Sequence, residues 1–404
     1  MHHSLHNLRR SEPRVLISGA GIAGPALAYW LARLGFHTTI VERAPFLRAG
    51  GQAVDFRGPI HRAVLERMAI WDAIHERRTQ PCDLRMLDAG GRTRACLPEV
   101  MMSGDVEILR GDLCRLLYDR TKRDTDYRFG DRIVSVETGS LAEVEFEHGK
   151  AETFDLVIGA DGLHSGVRAL AFGRERTLLR HHGYRIASFA LKNLGPSLGA
   201  ACYSEPGRGV CLYGFSAEDA RALLVYTAGP LESGERDGVQ RKHALAERFA
   251  GMGWLVPAIL DALAVATDLY VDAIATVHVD RYWAGHVGLV GDAAWGGTLG
   301  GQGTSLAIVG AYVLAHELAA APNVVSAWSR YEARMRPYAT RCQSGAARAG
   351  GFFAPKTRIG LGFRNVFYGV LTSKHFLPVF ERMVKKAASD FALKFLRCLA
   401  AQAQ

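Results

Sequence analysis

The stretch Arg14-Val-Leu-Ile-Ser18, followed by Gly19-Ala-Gly21-Ile-Ala-Gly24, decides the fold. A short apolar run of this kind reads as a buried strand, and three glycines at that spacing form a tight turn into a helix. The Ala/Leu-rich segment that follows runs to Leu34 and stops at Gly35, after which His37-Thr-Thr-Ile-Val-Glu42 is β-rich again. Strand, glycine turn, helix, glycine stop and strand within about thirty residues form a βαβ unit, which implies a parallel, doubly wound sheet. Gly19 permits the turn, Gly21 lets a pyrophosphate approach the backbone, and Gly24 lets the helix lie close on the strand. The helix N-terminus adds N–H donors and the positive end of its dipole. Glu42 closes the second strand, where a carboxylate accepts from both ribose hydroxyls of an adenosine and argues against a 2′-phosphate. This half should therefore hold FAD or NAD and not NADP.

A chain of 404 residues, 49% hydrophobic and 22% charged, has enough apolar material for large cores, which excludes disordered, collagen-like and coiled-coil classes. No window offers the run of about 18 uninterrupted apolar residues that a spanning helix needs. The first ten residues lack the apolar centre of a secretory signal, so a cytoplasmic location is expected. Seven cysteines (82, 96, 114, 202, 211, 342 and 398) are scattered without CxxC or metal-ligand spacing and read as reduced thiols, and no metal is expected. The net charge is +9, but from Arg330 onward fourteen Lys/Arg face three Asp/Glu. The basicity thus belongs to the C-terminal part, the rest is nearly neutral, and no nucleic-acid partner is expected.

Two further strand ends carry glycine and acid. Phe154-Asp-Leu-Val-Ile-Gly-Ala160 ends in Asp161-Gly162. His286-Val-Gly-Leu-Val290 ends in Gly291-Asp292 and leads through a glycine-rich stretch, 296 to 303, into an apolar helix at 303 to 319. Between them, residues 184 to 227 hold short aromatic and β-branched runs, such as Arg185 to Leu191 and Val210 to Phe215, which read as an antiparallel sheet. Helical patterns at 238 to 251 and 254 to 264 follow, then a strand from Asp268 to Asp280. The expected architecture is α/β: a Rossmann-like FAD-binding domain with an inserted β-sheet substrate domain and a C-terminal helix. The FAD-binding domain takes residues 1–80, 104–172 and 283–350, the substrate-binding domain 81–103 and 173–282, and a helical segment 351–404. Within the last, Phe376, Phe380, Met383, Val384, Ala387, Phe391 and Phe395 recur at helical spacing beside lysines and arginines. Packing of that stripe on the body is expected, with contact to anionic lipid or a lid over the active site as the alternatives.

The second and third signatures, Asp155-Leu-Val-Ile-Gly-Ala-Asp161-Gly162-Leu-His-Ser165-Gly-Val-Arg168 and Gly291-Asp292…Gly300-Gly301-Gln302-Gly303, raise the specificity sharply. In this order after the glycine turn, the chain resembles the class A flavoprotein monooxygenases, the para-hydroxybenzoate hydroxylase-like family, over about residues 14 to 345. The resemblance implies FAD as cofactor, NADPH or NADH as transient co-substrate, and oxygen transfer through a flavin C4a-hydroperoxide. It carries the cofactor-binding role onto Gly19, Gly21, Gly24, Glu42, Arg43, Gln52, Arg110, Asp161, Asp292, Gly301 and Gly303. Asp292 would accept from the ribityl chain, and the helix opened by Gly300 to Gly303 would point its dipole at the flavin pyrimidine. Arg110 would reach the flavin region, a surface salt bridge being its alternative. Asp161 and Arg168 match residues tied to the FAD pyrophosphate and the pyridine nucleotide, or form an ion pair with each other. The flavin does the hard step, so no protein side chain is expected to be catalytic and His164, His181 and His182 are not expected as bases.

The segment Gly50-Gly51-Gln52-Ala53-Val54-Asp55-Phe56-Arg57-Gly58 looks like the branch that contains tetracycline-inactivating monooxygenases and oxygenases that tailor polyketides and aromatic natural products. That resemblance implies a bulky polycyclic aromatic or polyketide substrate, with Arg57, Tyr213, Phe215 and Tyr226 as candidate contacts. Six tryptophans occur without the Trp-x-Trp-x-Ile-Pro segment of flavin halogenases. A prenyl reductase of the geranylgeranyl type and a non-catalytic flavin-binding protein remain the alternatives, and a monomer or homodimer is expected.

Overall fold

The structure is a computed structural model and describes residues 12–47, 51–102, 104–195, 199–229, 238–299, 303–373, 376–378 and 382. The chain divides into two compact units. One comprises Met1–Arg78, Ile108–Arg180 and Ala275–Gly345; the other comprises Thr79–Glu107, His181–Ile274 and Ala346–Gln404.

The first unit is built on a six-stranded sheet in the order 283–284, 287–289, 156–159, 14–18, 37–42 and 125–129. Arg14–Ser18 lies at its centre, paired in parallel with His37–Glu42 on one side and Leu156–Gly159 on the other. Val15, Leu16 and Ile17 are fully buried, as a strand covered on both faces requires. Val287–Leu289 pairs in parallel with Leu156–Gly159, so the three strand ends singled out in the sequence are neighbours in the sheet. The helix Ala23–Arg33 follows the first strand and packs on the helix Gly303–Ala320. By length and composition Gly303–Ala320 could cross a bilayer, yet most of it is buried inside the fold. The helix Val324–Phe353 continues through Pro337 and lays Trp328 and Tyr331, both fully buried, into the core. The indole of Trp328 occupies the space that a side chain at Gly288 would need.

The run Phe154 to Ala160 proves to be two strands. Glu152–Phe154 ends an antiparallel three-stranded sheet, and Leu156–Gly159 enters the parallel sheet. Asp155 makes the junction, its carboxylate accepting from the backbone N–H of Arg14 at 2.8 Å.

The second unit is organised by a seven-stranded sheet in the order 270–277, 179–192, 219–227, 208–214, 199–205, 84–87 and 93–97. Its central strands are antiparallel, and the pleat sends successive side chains to opposite faces. One face carries Ala187, Phe189, Tyr203, Val210, Ala222 and Leu224 into a core completed by the helices Gly238–Phe249 and Val256–Val265 through Leu245, Phe249, Val256 and Ile259. Burying each such aliphatic or aromatic side chain contributes about 1.5–3 kcal/mol, so this face holds the layers together.

One expectation changes here. Cys202 and Cys211 stand opposite each other across antiparallel strands, with Cα atoms 4.1 Å apart, and are joined as a disulfide, not reduced. The other described cysteines, 82, 96, 114 and 342, are free thiols, and Cys398 lies outside the described residues. A helix forms at Arg358–Leu371, inside the segment 351–404. The expected helix from Phe376 to Phe395 lies almost wholly outside the described residues.

Candidate active site

The glycine turn closes as its sequence requires. Gly19 has φ +110°, and a Cβ there would sit 2.6 Å from the carbonyl oxygen of Ala160. Any side chain at Gly24 would meet the Gly19 carbonyl oxygen at 2.0 Å, so only hydrogen fits where the helix lies on the strand. Gly21 differs: the space over it is open, and the nearest atom is the Arg110 Nη2, 3.7 Å from a Cβ built there. The helix that follows begins after Ile22, which offers no capping side chain, so its first N–H groups are left for another acceptor.

Glu42 ends the neighbouring strand. Its Oε2 accepts from the N–H of Ala20 and its Oε1 from that of Ala44, both at 2.9 Å. The carboxylate is thereby fixed beside the glycine turn. Arg43 is exposed next to it.

The second motif is tied to the first and third by hydrogen bonds. The Asp161 Oδ2 accepts from the N–H of Val167 at 3.2 Å and from the hydroxyl of Ser18 at 3.3 Å, while its Oδ1 is buried without a partner. Burial pushes this carboxyl up from its ordinary range. Arg168 is fully buried and donates to the carbonyls of Leu163 (2.6 Å) and Ala293 (3.0 Å). Ser165 caps this short helix by accepting from the N–H of Arg168 at 2.9 Å. No ion pair joins Asp161 to Arg168 among the described residues; each makes its hydrogen bonds to other groups.

The third motif completes the cleft. Gly291, with φ +64°, passes so close to the first helix that a Cβ would touch that of Ala23 at 2.9 Å. Asp292 follows it, and its side chain is exposed to solvent although protein surrounds it closely. Those low-dielectric surroundings push its carboxyl up, and the nearby positive charge of Arg110 opposes the shift. Gly303, at the start of the helix Gly303–Ala320, lies beside it: a Cβ there would be 3.4 Å from the Asp292 Oδ1. Gly301 lies outside the described residues. Arg110 is exposed at the head of the helix Arg110–Thr121, its N–H donates to the Gln52 carbonyl at 3.1 Å, and its side chain packs on Gly51. No carboxylate forms a salt bridge with it among the described residues. Gly21, Arg110, Gln52, Asp292 and Gly303 are thus brought to one place, with Glu42 and Asp161 flanking the glycine turn.

The candidate substrate contacts do not all gather. Arg57 is held by Asp55 at 2.8 Å in the first unit. In the second unit, Tyr213 and Tyr226 lie on opposite faces of one sheet. Tyr226 is buried in the core, edge-on to Phe249 with ring centres 5.8 Å apart, so it belongs to the helix-covered face, opposite to that of Tyr213. Tyr213 is half-buried, and desolvation, with smaller contributions from Cys82 and Glu107, pushes its hydroxyl well above the usual range. Phe215 begins the turn after the strand Arg208–Gly214, its N–H donating to the carbonyl of Asp219 at 2.9 Å. Sequence reasoning passed over Ser18, Ser165 and the Ala293 carbonyl, which bind the three motifs together. Ser165 carried a signal, a serine directly before a helical run; the other two had none.

These features fit a bound dinucleotide: an open glycine, an uncapped helix, a fixed carboxylate at the second strand end, and the Asp292 carboxylate near the Arg110 guanidinium, neither hydrogen-bonded by its side chain among the described residues. The sequence matches the FAD binding domain family over residues 12–346, and the chain belongs to it. It is 38% identical to an uncharacterized protein of Mycobacterium tuberculosis, over 81% of this chain and 91% of that one. It is 36% identical to a flavin-dependent monooxygenase of Legionella longbeachae, over 80% and 85% of the two chains. Among solved structures it resembles the tetracycline destructase Tet(55), with 33% identity, a TM-score of 0.77 and coverage of 92% of this chain and 97% of the other. The protein is a FAD-dependent monooxygenase.

Proposed function

We propose that the enzyme hydroxylates a bulky polycyclic aromatic or polyketide, with NADPH or NADH as transient co-substrate and dioxygen as oxidant. The observation that carries this reading is the likeness to a tetracycline destructase along nearly the whole length of both chains, the substrate-side sheet included. Bound FAD supplies the redox chemistry of oxygen activation. The chain's own residues bind and orient. In this reading Gly21 and the first turn of Ala23–Arg33 would hold the pyrophosphate, Glu42 the adenosine ribose, Asp292 would accept from the ribityl hydroxyls, and Arg110 would reach the flavin region. The start of Gly303–Ala320 would offer its positive dipole end to the negative charge that the flavin gains on reduction. Tyr213 and Phe215 are the candidate substrate contacts of the second unit, and Arg57 and Gln52 are candidate contacts in the first.

Anaerobic reduction of the bound flavin by NADPH and NADH, repeated across a panel of polycyclic aromatics that includes tetracyclines, tests the reading. A substrate should speed loss of the yellow colour by about tenfold or more, a transition-state gain of about 1.4 kcal/mol. Ready reduction at one rate with every compound would overturn the substrate class. No reduction by either nicotinamide would overturn the co-substrate.

A further inference from the structure

The helix Arg358–Leu371 has two faces of opposite character. Inward, it packs on the strands Thr93–Leu97 and Gly199–Glu205, and its buried Arg364 donates to the hydroxyl of Ser204 at 3.1 Å and the carbonyl of Phe352 at 2.6 Å. Thr357 caps its first turn, the hydroxyl accepting from the N–H of Gly360 at 3.0 Å. Outward, Ile359, Phe363, Val366, Phe367 and Val370 are exposed by 85, 71, 67, 48 and 55%. These positions are spaced by four, three, one and three residues and therefore form one stripe along a helix. Phe376 extends it, and the rings of Phe363 and Phe367 stack with centres 6.1 Å apart. Six of the fourteen large hydrophobic side chains exposed among the described residues lie in this short span.

The charge around the stripe is of one sign. Residues 333 to 380 contain eight Lys/Arg and no Asp or Glu, and Lys356, Arg358 and Arg382 are exposed on either side of the apolar face. A two-fold dimer through this face would bring two such basic belts together. Residues 381 to 404, with five Lys/Arg against Glu381 and Asp390, would likewise lay positive charge on positive charge. A partner that is apolar below and anionic above satisfies both features.

We propose that this helix docks the enzyme on an anionic lipid surface, with the stripe at the boundary of headgroups and acyl chains and the flanking lysine and arginines among the headgroups. The test floats the full-length holoenzyme with vesicles of phosphatidylcholine alone, or mixed with phosphatidylglycerol, at low and high salt. Binding is expected on the anionic vesicles only, to fall about tenfold from low to high salt, and to be lost in Phe363→Ser/Phe367→Ser while FAD content and melting temperature hold. Absence of flotation, equal flotation with phosphatidylcholine alone, or unchanged flotation of the double variant each overturns the proposal. So does a change from dimer to monomer in the double variant without any vesicle binding by the native chain, which would assign the stripe to a second copy. If that variant does not fold, Lys356→Gln/Arg358→Gln keeps the stripe intact and must still weaken binding to anionic vesicles; equal binding overturns the proposal.

Discussion

Asp292 carries a charge that the protein without its cofactor disfavours. Its carboxyl is shifted upward, so the folded chain holds the proton to higher pH than the unfolded chain does. The resulting cost is absent in acid, where both states are protonated, and is complete above the folded pKa. Asp292→Asn should therefore raise the melting temperature of the FAD-free protein at neutral pH, with a gain that shrinks as the pH falls. The same change should weaken FAD binding about tenfold, the value of one good hydrogen bond to a charged group. Differential scanning fluorimetry and a flavin titration read the two effects; a variant less stable at neutral pH, or one binding FAD as the native chain does, contradicts the role given to Asp292. Gly24 supports a second prediction at this scale. A methyl group 2.0 Å from the Gly19 carbonyl must push the helix Ala23–Arg33 off its strand, so Gly24→Ala should cost about 1–3 kcal/mol and abolish FAD retention on purification.

At the scale of elements, the pleat of the second sheet separates residues that look alike in sequence. Tyr213 and Tyr226 are both aromatic residues of β-rich runs, and their offset of thirteen residues is meaningless until the register across the turn at 215 to 219 is known. With the register in hand, Tyr226 joins Phe249 in the core and Tyr213 faces the other way. Phe249→Ala should accordingly destabilise by about 3–5 kcal/mol in chemical denaturation with little change in KM. Tyr213→Phe should alter KM for the aromatic substrate while the melting temperature holds; identical behaviour of the two variants would contradict the assignment of faces. The three glycine-bearing strand ends were legible because each combines a buried β run with a turn that only glycine can make. The helix Arg358–Leu371 falls in the segment read as helical, but its bounds were not legible, since Gly360, Gly362 and Gly369 lower its local propensity and tertiary packing through Arg364 overrides it. The disulfide escaped for the same reason as Tyr226: Cys202 and Cys211 meet through register, and nothing in their spacing of nine declares it.

At the scale of the whole molecule, the family match covers residues 12–346, and those residues contribute to both units. A ligand that binds only the folded state stabilises it by about 2.7 kcal/mol at a hundredfold excess over its dissociation constant. FAD should therefore raise the melting transition of the first unit, and Gly24→Ala should remove the rise. The central claim is that the ends of Arg14–Ser18, Leu156–Gly159 and Val287–Leu289 hold one FAD together. Flavin fluorescence, followed as FAD is added to the stripped protein, measures this directly. The account predicts saturation at one FAD per chain, with binding lost in Gly24→Ala and weakened in Asp292→Asn. No saturable binding, or equal binding by all three proteins, would contradict it.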